Sequence, residues 1–242
     1  MVLRIHDLLE IDTQAFVERN AAAPAWVVEG LKVAPFVVVR RAPVAEGLIA
    51  VGVRGEARSQ RWAAACAPSW IRSVVTPVEL LSRVRADLTR SVSACSTSSA
   101  CQAPADSEWP ACCPNPVPLQ SRFDAIPALR SLVLLAGHPT WSALPHTWGP
   151  GGSVGFELAT GRPTASPQSD LDLVIYADER LTVEEAKRLH TAAQNLPSAV
   201  DVRVETPVCG FSLTEYANQA PAPILLRKTS GVMLGADPWC RP

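Results

Sequence analysis

Short runs of branched apolar residues alternate along this chain with stretches of helical period. PFVVVRRA (35–42) and GLIAVGVRG (47–55) are brief, rich in Val and Ile and bounded by Pro or Gly, which predicts two strands. TPVELLSRVRADLTR (76–90) carries apolar residues at Leu80, Leu81, Val84 and Leu88. With Thr76 as N-cap, Pro77 at the first helical position and Glu79 closing a capping box, it predicts a helix. Further on, IPALRSLVLLAG (126–137) predicts a helix ending at Gly137. A short helix with FELAT as its body should follow, with Ser153 near its N-cap, Gly161 as C-cap and Pro163 preventing continuation. LDLVIY (171–176) predicts a strand, LTVEEAKRLHTAAQNL (181–196) a helix opened by Thr182 with Glu185 three residues on, and VDVRVET (200–206) a strand of clean alternation.

The periodicity lapses over residues 91–121, SVSACSTSSACQAPADSEWPACCPNPVPLQS, which is rich in Ser, Ala, Pro and Cys. Such a composition buries too little apolar surface to offset its ordering entropy and reads as a flexible linker. It divides the chain into an N-terminal α+β domain (1–90) and a second α+β domain (122–242) of order helix, helix, strand, helix, strand. At 242 residues there is enough chain for a sizeable core.

Composition then narrows the function. The longest apolar runs, such as FVVV at 36–39, fall far short of the roughly 20 residues a bilayer requires, so no membrane partner is expected. MVLRIHDLLEID mixes charges among its apolar residues, unlike a secretory signal, and predicts a cytoplasmic protein. Net charge is −1, yet residues 1–92 hold 12 Lys and Arg against 9 Asp and Glu, and the remainder 10 against 14. The basic half suits a polyphosphate or an acidic protein partner; nucleic acid is not expected. The seven cysteines (66, 95, 101, 112, 113, 209, 240) are odd in number and form no CxxC pair, which supports neither a disulfide framework nor a zinc site.

The chemistry gathers between 148 and 205. Residues two apart in a strand share a face, so Asp170 and Asp172 project together while Leu171 and Leu173 point away. Two such carboxylates raise each other's pKa unless a cation lies between them, and Mg²⁺ is the usual cation for an oxygen site that also takes substrate phosphates. Gly151 and Gly152 let backbone N–H groups approach a ligand closely, and the helix opening at Ser153 would aim its positive end at a phosphate. On the later strand Asp201, Arg203 and Glu205 share one face. Asp201 is the candidate third carboxylate and Glu205 the alternative.

In this order, GGS, SDLDLVI and VDVRVE resemble the signature of the nucleotidyltransferase superfamily, the DNA polymerase beta-like fold with a mixed sheet. WGPGGSVGFELATG with SDLDLVI, together with RIHDLLEI, PFVVVRR, GLIAVGVRG, VETPVCGFSLTEYA and LLRKTSGVMLGADPW, is similar more closely to the phosphoribosyl-dephospho-CoA transferases, the holo-acyl-carrier-protein synthases of malonate decarboxylase. This chain departs from the pattern in its Cys- and Ser-rich linker and in the second Gly of GGS, where Thr is expected.

The resemblance implies transfer of the phosphoribosyl-dephospho-CoA group from triphosphoribosyl-dephospho-CoA to a serine of the apo acyl-carrier subunit, with loss of diphosphate. Asp170, Asp172 and Asp201 would hold Mg²⁺, and Gly151, Gly152 and Ser153 the triphosphate. Among weaker candidates, Lys228, beside Arg227, could neutralise the leaving diphosphate. Arg40 and Arg41, with Arg54, Arg58 and Arg61, could contact the CoA moiety or the acidic carrier, and some of the seven tryptophans could stack on adenine. The alternatives are a nucleotidyltransferase that adds AMP to another small-molecule or protein hydroxyl, and a binding module that keeps the fold without turnover.

Overall fold

A computed structural model describes residues 2–55, 59–95, 119–219 and 222–240. The chain opens with β1 (Leu8–Ile11), α1 (Thr13–Arg19), α2 (Ala25–Val33), β2 (Phe36–Val39), β3 (Ile49–Arg54), β4 (Arg61–Cys66) and β5 (Ile71–Val75). These strands form an antiparallel sheet of order β4-β3-β2-β1-β5. Strand alternation gives the sheet two different faces. Leu9, Ile11, Val37, Val39, Val51 and Val53 pack with Phe16, Val27 and Leu31 of α1 and α2 into a core of their own. Leu8, Phe36 and Val75 belong instead to the larger core shared with the rest of the chain.

Next come α3 (Pro77–Cys95), α4 (Leu119–Ala125), α5 (Pro127–Ala136), α6 (Pro139–Ser142), β6 (Thr147–Pro150), α7 (Gly152–Thr160), β7 (Leu171–Tyr176), α8 (Val183–Ala192), β8 (Val200–Glu205), β9 (Gly210–Ser212), α9 (Leu213–Gln219), β10 (Ile224–Lys228) and β11 (Gly231–Gly235). The second sheet runs β11-β10-β9-β8-β7-β6 and is mixed: β7 and β8 are parallel and the other neighbours antiparallel. The molecule is therefore α+β with two sheets, one of them mixed.

The expected caps form. The Glu79 N–H donates to Thr76 Oγ1 at 3.1 Å and the Thr76 N–H to Glu79 Oε2 at 2.8 Å, and Thr182 and Glu185 make the same reciprocal pair. Gly161 ends α7 with φ 68°. Two boundaries differ from the sequence reading. α3 continues through Cys95 and α4 begins at Leu119, so both ends of the stretch read as linker are helical, and residues 96–118 lie outside the described residues. Leu80, Leu81 and Val84 of α3 pack with Leu129, Leu132, Trp148 and Leu158, so this helix shares the core of the second sheet rather than closing a domain at residue 90.

Among the described residues, several polar contacts hold the first sheet's edge over the second. The Tyr176 hydroxyl donates to Ile5 O at 2.8 Å, Arg162 Nη1 to Val33 O at 3.0 Å and Arg4 Nη2 to Asp178 Oδ2 at 3.0 Å. His6 and Arg41 both bond Glu205. Among the described residues no helix is long and apolar enough to cross a membrane.

Candidate active site

Parallel pairing of β7 with β8 sets Asp172 directly beside Asp201, with Leu171 beside Val200 and Leu173 beside Val202. The leucines and valines turn into the core, which leaves the two aspartates on the opposite face, and Asp170 stands immediately ahead of β7. The Gly-Gly turn is fastened to the same strand by the Gly151 N–H, which donates to Asp172 O at 2.9 Å. Gly152 opens α7 with φ 56°, and a Cβ there would lie 2.6 Å from Asp172 Cγ, so the carboxylate occupies the space a side chain would fill. Burial first, then the negative charge of Asp170, push the Asp172 carboxyl above its ordinary value; Arg54 opposes the rise and Asp201 adds to it.

This oxygen-only set fits a hard divalent cation. Among the described residues no group of three His, Cys, Asp or Glu side chains stands ready as a closed metal cage. Mg²⁺ does not require one, because it keeps several waters and binds through one or two carboxylates together with substrate phosphates.

The structure separates the other sequence candidates. Glu205 shares a face with Asp201 but lies four residues along β8, about 13 Å away at strand rise. It is buried, and it is committed: Arg41 Nη2 donates to its Oε2 at 2.7 Å and His6 Nε2 lies 3.2 Å from its Oε1. Arg41 also donates to Thr206 O, so it ties the sheets together and does not line the cleft. Burial pushes the Glu205 carboxyl up, but the hydrogen bonds and charges of His6 and Arg41 outweigh it and hold the group below its ordinary value. A folded-state pKa below the unfolded one gives stability that is present above the unfolded pKa and lost as pH falls through the folded one. Glu205→Gln should therefore lower stability at pH 7 by about 2 kcal/mol and shrink its loss on acidification. Thermal unfolding between pH 3 and 7 checks this, and an unchanged pH 7 midpoint would show that the pair contributes nothing.

Lys228 ends β10, level with the Glu205 end of β8 through Gly210, and so lies away from the aspartates. Ser153 is the second residue of α7, with Gly151 as N-cap; its side chain is buried, and the cleft is lined by Gly151 and Gly152 but not by Ser153. Arg58 lies outside the described residues. Trp141 and Trp148 are core residues in contact with each other, and the ring of Trp62 packs edge-on against Phe16 at 6.4 Å.

The aspartates face a cleft of about 740 Å³ between the two sheets. Arg40, Arg54 and Arg61 come from the first sheet, Arg203 from β8, and Phe156 from α7. His6 and Arg203 carried no role in the sequence reading. For Arg203 a signal existed, since VDVRVE places it on the face of Asp201, and it stands 3.9 Å from that carboxylate. His6 (φ 76°) is brought to the cleft by a local backbone conformation with no pattern in the sequence.

Residues 118–238 match the family described as phosphoribosyl-dephospho-CoA transferase MdcG C-terminal domain, and residues 4–77 match the corresponding N-terminal domain. Phosphoribosyl-dephospho-CoA transferases of similar sequence include that of Azotobacter vinelandii, 34% identical over 91% of this chain and 87% of its own length. That of Pseudomonas aeruginosa is 32% identical over 97% and 92%, and that of Klebsiella pneumoniae 33% identical over 98% and 97%. No solved structure gives a significant match.

Proposed function

The chain belongs to the phosphoribosyl-dephospho-CoA transferase family, and on that premise we propose that it carries phosphoribosyl-dephospho-CoA from triphosphoribosyl-dephospho-CoA to a serine of the apo acyl-carrier subunit of malonate decarboxylase. We read its second sheet as a nucleotidyltransferase fold. The observation that supports the reading most is the pairing of Asp172 with Asp201 beside a glycine turn seated on the Asp172 carboxylate.

In the transfer the serine oxygen forms a bond to the phosphorus attached to the ribosyl 5″ oxygen, and the bond from that phosphorus to the outer diphosphate breaks. The serine proton is lost to solvent and diphosphate leaves. Asp170, Asp172 and Asp201 would hold Mg²⁺, which when bound neutralises the phosphates and lowers the pKa of the attacking hydroxyl. Gly151 and Gly152 allow the triphosphate to approach the start of α7, where backbone N–H groups and the helix dipole favour an anion. Arg203 lies on the Asp201 side and suits charge that develops on the leaving group.

The test is transfer of labelled triphosphoribosyl-dephospho-CoA onto the apo carrier subunit with Mg²⁺, for wild type, Asp201→Asn and Glu205→Gln. Wild type and, at a temperature where it stays folded, Glu205→Gln should label the carrier, while Asp201→Asn should fall by roughly 10²-fold or more. Failure of wild type to label the carrier, with ATP consumed on another hydroxyl acceptor, would replace this reading with AMP transfer.

A further inference from the structure

The cleft has a second wall, built entirely by the first sheet. Val38, Gly52 and Ala63 stand side by side on adjacent strands of its cleft-lining face, through the pairs Val38–Gly52 and Gly52–Ala63. Two small residues in one row leave room that the stem of Arg40 fills over Gly52 and that stays open over Ala63. Arginines stand at the rim of this row. Arg40 follows β2, and its side chain lies across Gly52, where a Cβ would come within 2.7 Å of Arg40 Cδ. Arg61 begins β4 and is close enough for its charge to act on Asp172. Among the described residues, neither guanidinium makes an ion pair or a side-chain hydrogen bond. Two unpaired guanidiniums turned into one cleft, each a planar fork of donors, make a receptor for phosphate oxygens.

This receptor is separate from the aspartates. A polyphosphate at the aspartates has to share a cation with them, whereas Arg40 and Arg61 can bind phosphate directly. The proposed donor carries two polyphosphates, the reactive triphosphate and the diphosphate that joins adenosine to pantetheine. Resting on the transferase reading above, we propose that the first sheet is the donor-recognition wall: Arg40, lying across Gly52, and Arg61 grip the diphosphate of the dephospho-CoA arm, and the open surface at Ala63 takes the adenosine beside them. The first sheet then binds the part of the donor that does not react, and the second sheet performs the transfer.

Calorimetric titration of the full chain with dephospho-CoA, which lacks the triphosphate, tests this without any transfer. Wild type should bind it. Arg40→Ala with Arg61→Ala should weaken binding at least tenfold with an unchanged unfolding midpoint, since both side chains are exposed. Gly52→Val should weaken it too, by displacing the Arg40 side chain that lies across Gly52. Asp172→Asn should bind at least as tightly as wild type, because it removes an anion from the opposite wall. A double arginine variant that binds dephospho-CoA as wild type does would overturn the proposal. So would a variant that keeps dephospho-CoA but loses inorganic triphosphate, since the arginines would then belong to the reactive end. Wild type that transfers the group but does not bind dephospho-CoA would also overturn this subsite while leaving the transferase reading in place. Wild type that binds dephospho-CoA but labels no carrier would remove the transferase reading alone.

Discussion

Asp172→Asn is expected to abolish transfer and to make the metal-free protein more stable. Both effects have one origin. The Asp172 carboxyl is held above its ordinary pKa by burial and then by Asp170, so its charged form is disfavoured in the folded state. A carboxyl whose pKa rises on folding binds its proton more tightly when folded, so stability falls as pH rises from the unfolded pKa through the folded one. At neutral pH the group is a net cost that asparagine removes while keeping the size of the side chain. The unfolding midpoint in chelator at pH 7 should therefore rise, and the difference between wild type and variant should vanish at a pH below both pKa values. Transfer should fall by roughly 10²- to 10³-fold or more, because on the proposed reading the variant removes one of the carboxylates that would hold the cation. Adding Mg²⁺ should stabilise wild type by relieving the repulsion and should leave the variant nearly unmoved. A variant that is less stable than wild type in chelator would show Asp172 to be a structural residue, and a variant that retains transfer would remove it from the site.

How far such a site can be read from sequence depends on which information is local. Thr76 with Glu79, Thr182 with Glu185 and Gly161 behave as their spacing requires, because a cap is made within a few residues of itself. The shared face of Asp170 and Asp172 follows from the strand period alone. The choice between Asp201 and Glu205 does not, since both occupy the same face of β8. It is decided by the register against β7, which sets Asp201 beside Asp172, and by Arg41 and His6, which reach across to occupy Glu205. Arg40 and Arg41 show the same limit. Neighbouring residues at a strand end point apart, so one reaches the cleft and the other does not. Which one depends on the face that meets the second sheet. β4 and β6 were invisible for a compositional reason: RWAAAC is rich in Ala and TWGP holds Gly and Pro, and both are strands because their neighbours pair with them.

Gly152→Ala is expected to do nearly as much damage to transfer as loss of the carboxylate itself, by a different route. The methyl would meet two obstacles at once. The backbone at Gly152 has φ 56°, a conformation that costs an L-residue about 1–2 kcal/mol. The space the methyl needs is already taken by Asp172, whose Cγ would lie 2.6 Å and Cβ 2.9 Å from it. Asp172 cannot yield cheaply, because its strand is paired on both sides and its carbonyl accepts the Gly151 N–H. Either the carboxylate turns out of line with Asp201 or the start of α7 lifts off the strand, and each movement separates the glycine turn from Asp172, the groups proposed to meet the triphosphate and the cation. Transfer should drop by roughly 10²-fold or more, as a misplacement of about 1 Å is enough to produce, and the unfolding midpoint should fall. The discriminating comparison is Gly151→Ala. A Cβ at Gly151 comes no closer than 4.0 Å to Asp172 O, and its φ of −118° suits any residue, so that variant should keep its stability and a far larger share of its activity. Equal losses at the two positions would mean that the turn matters for its flexibility, and the seating of Gly152 on Asp172 would carry no special weight.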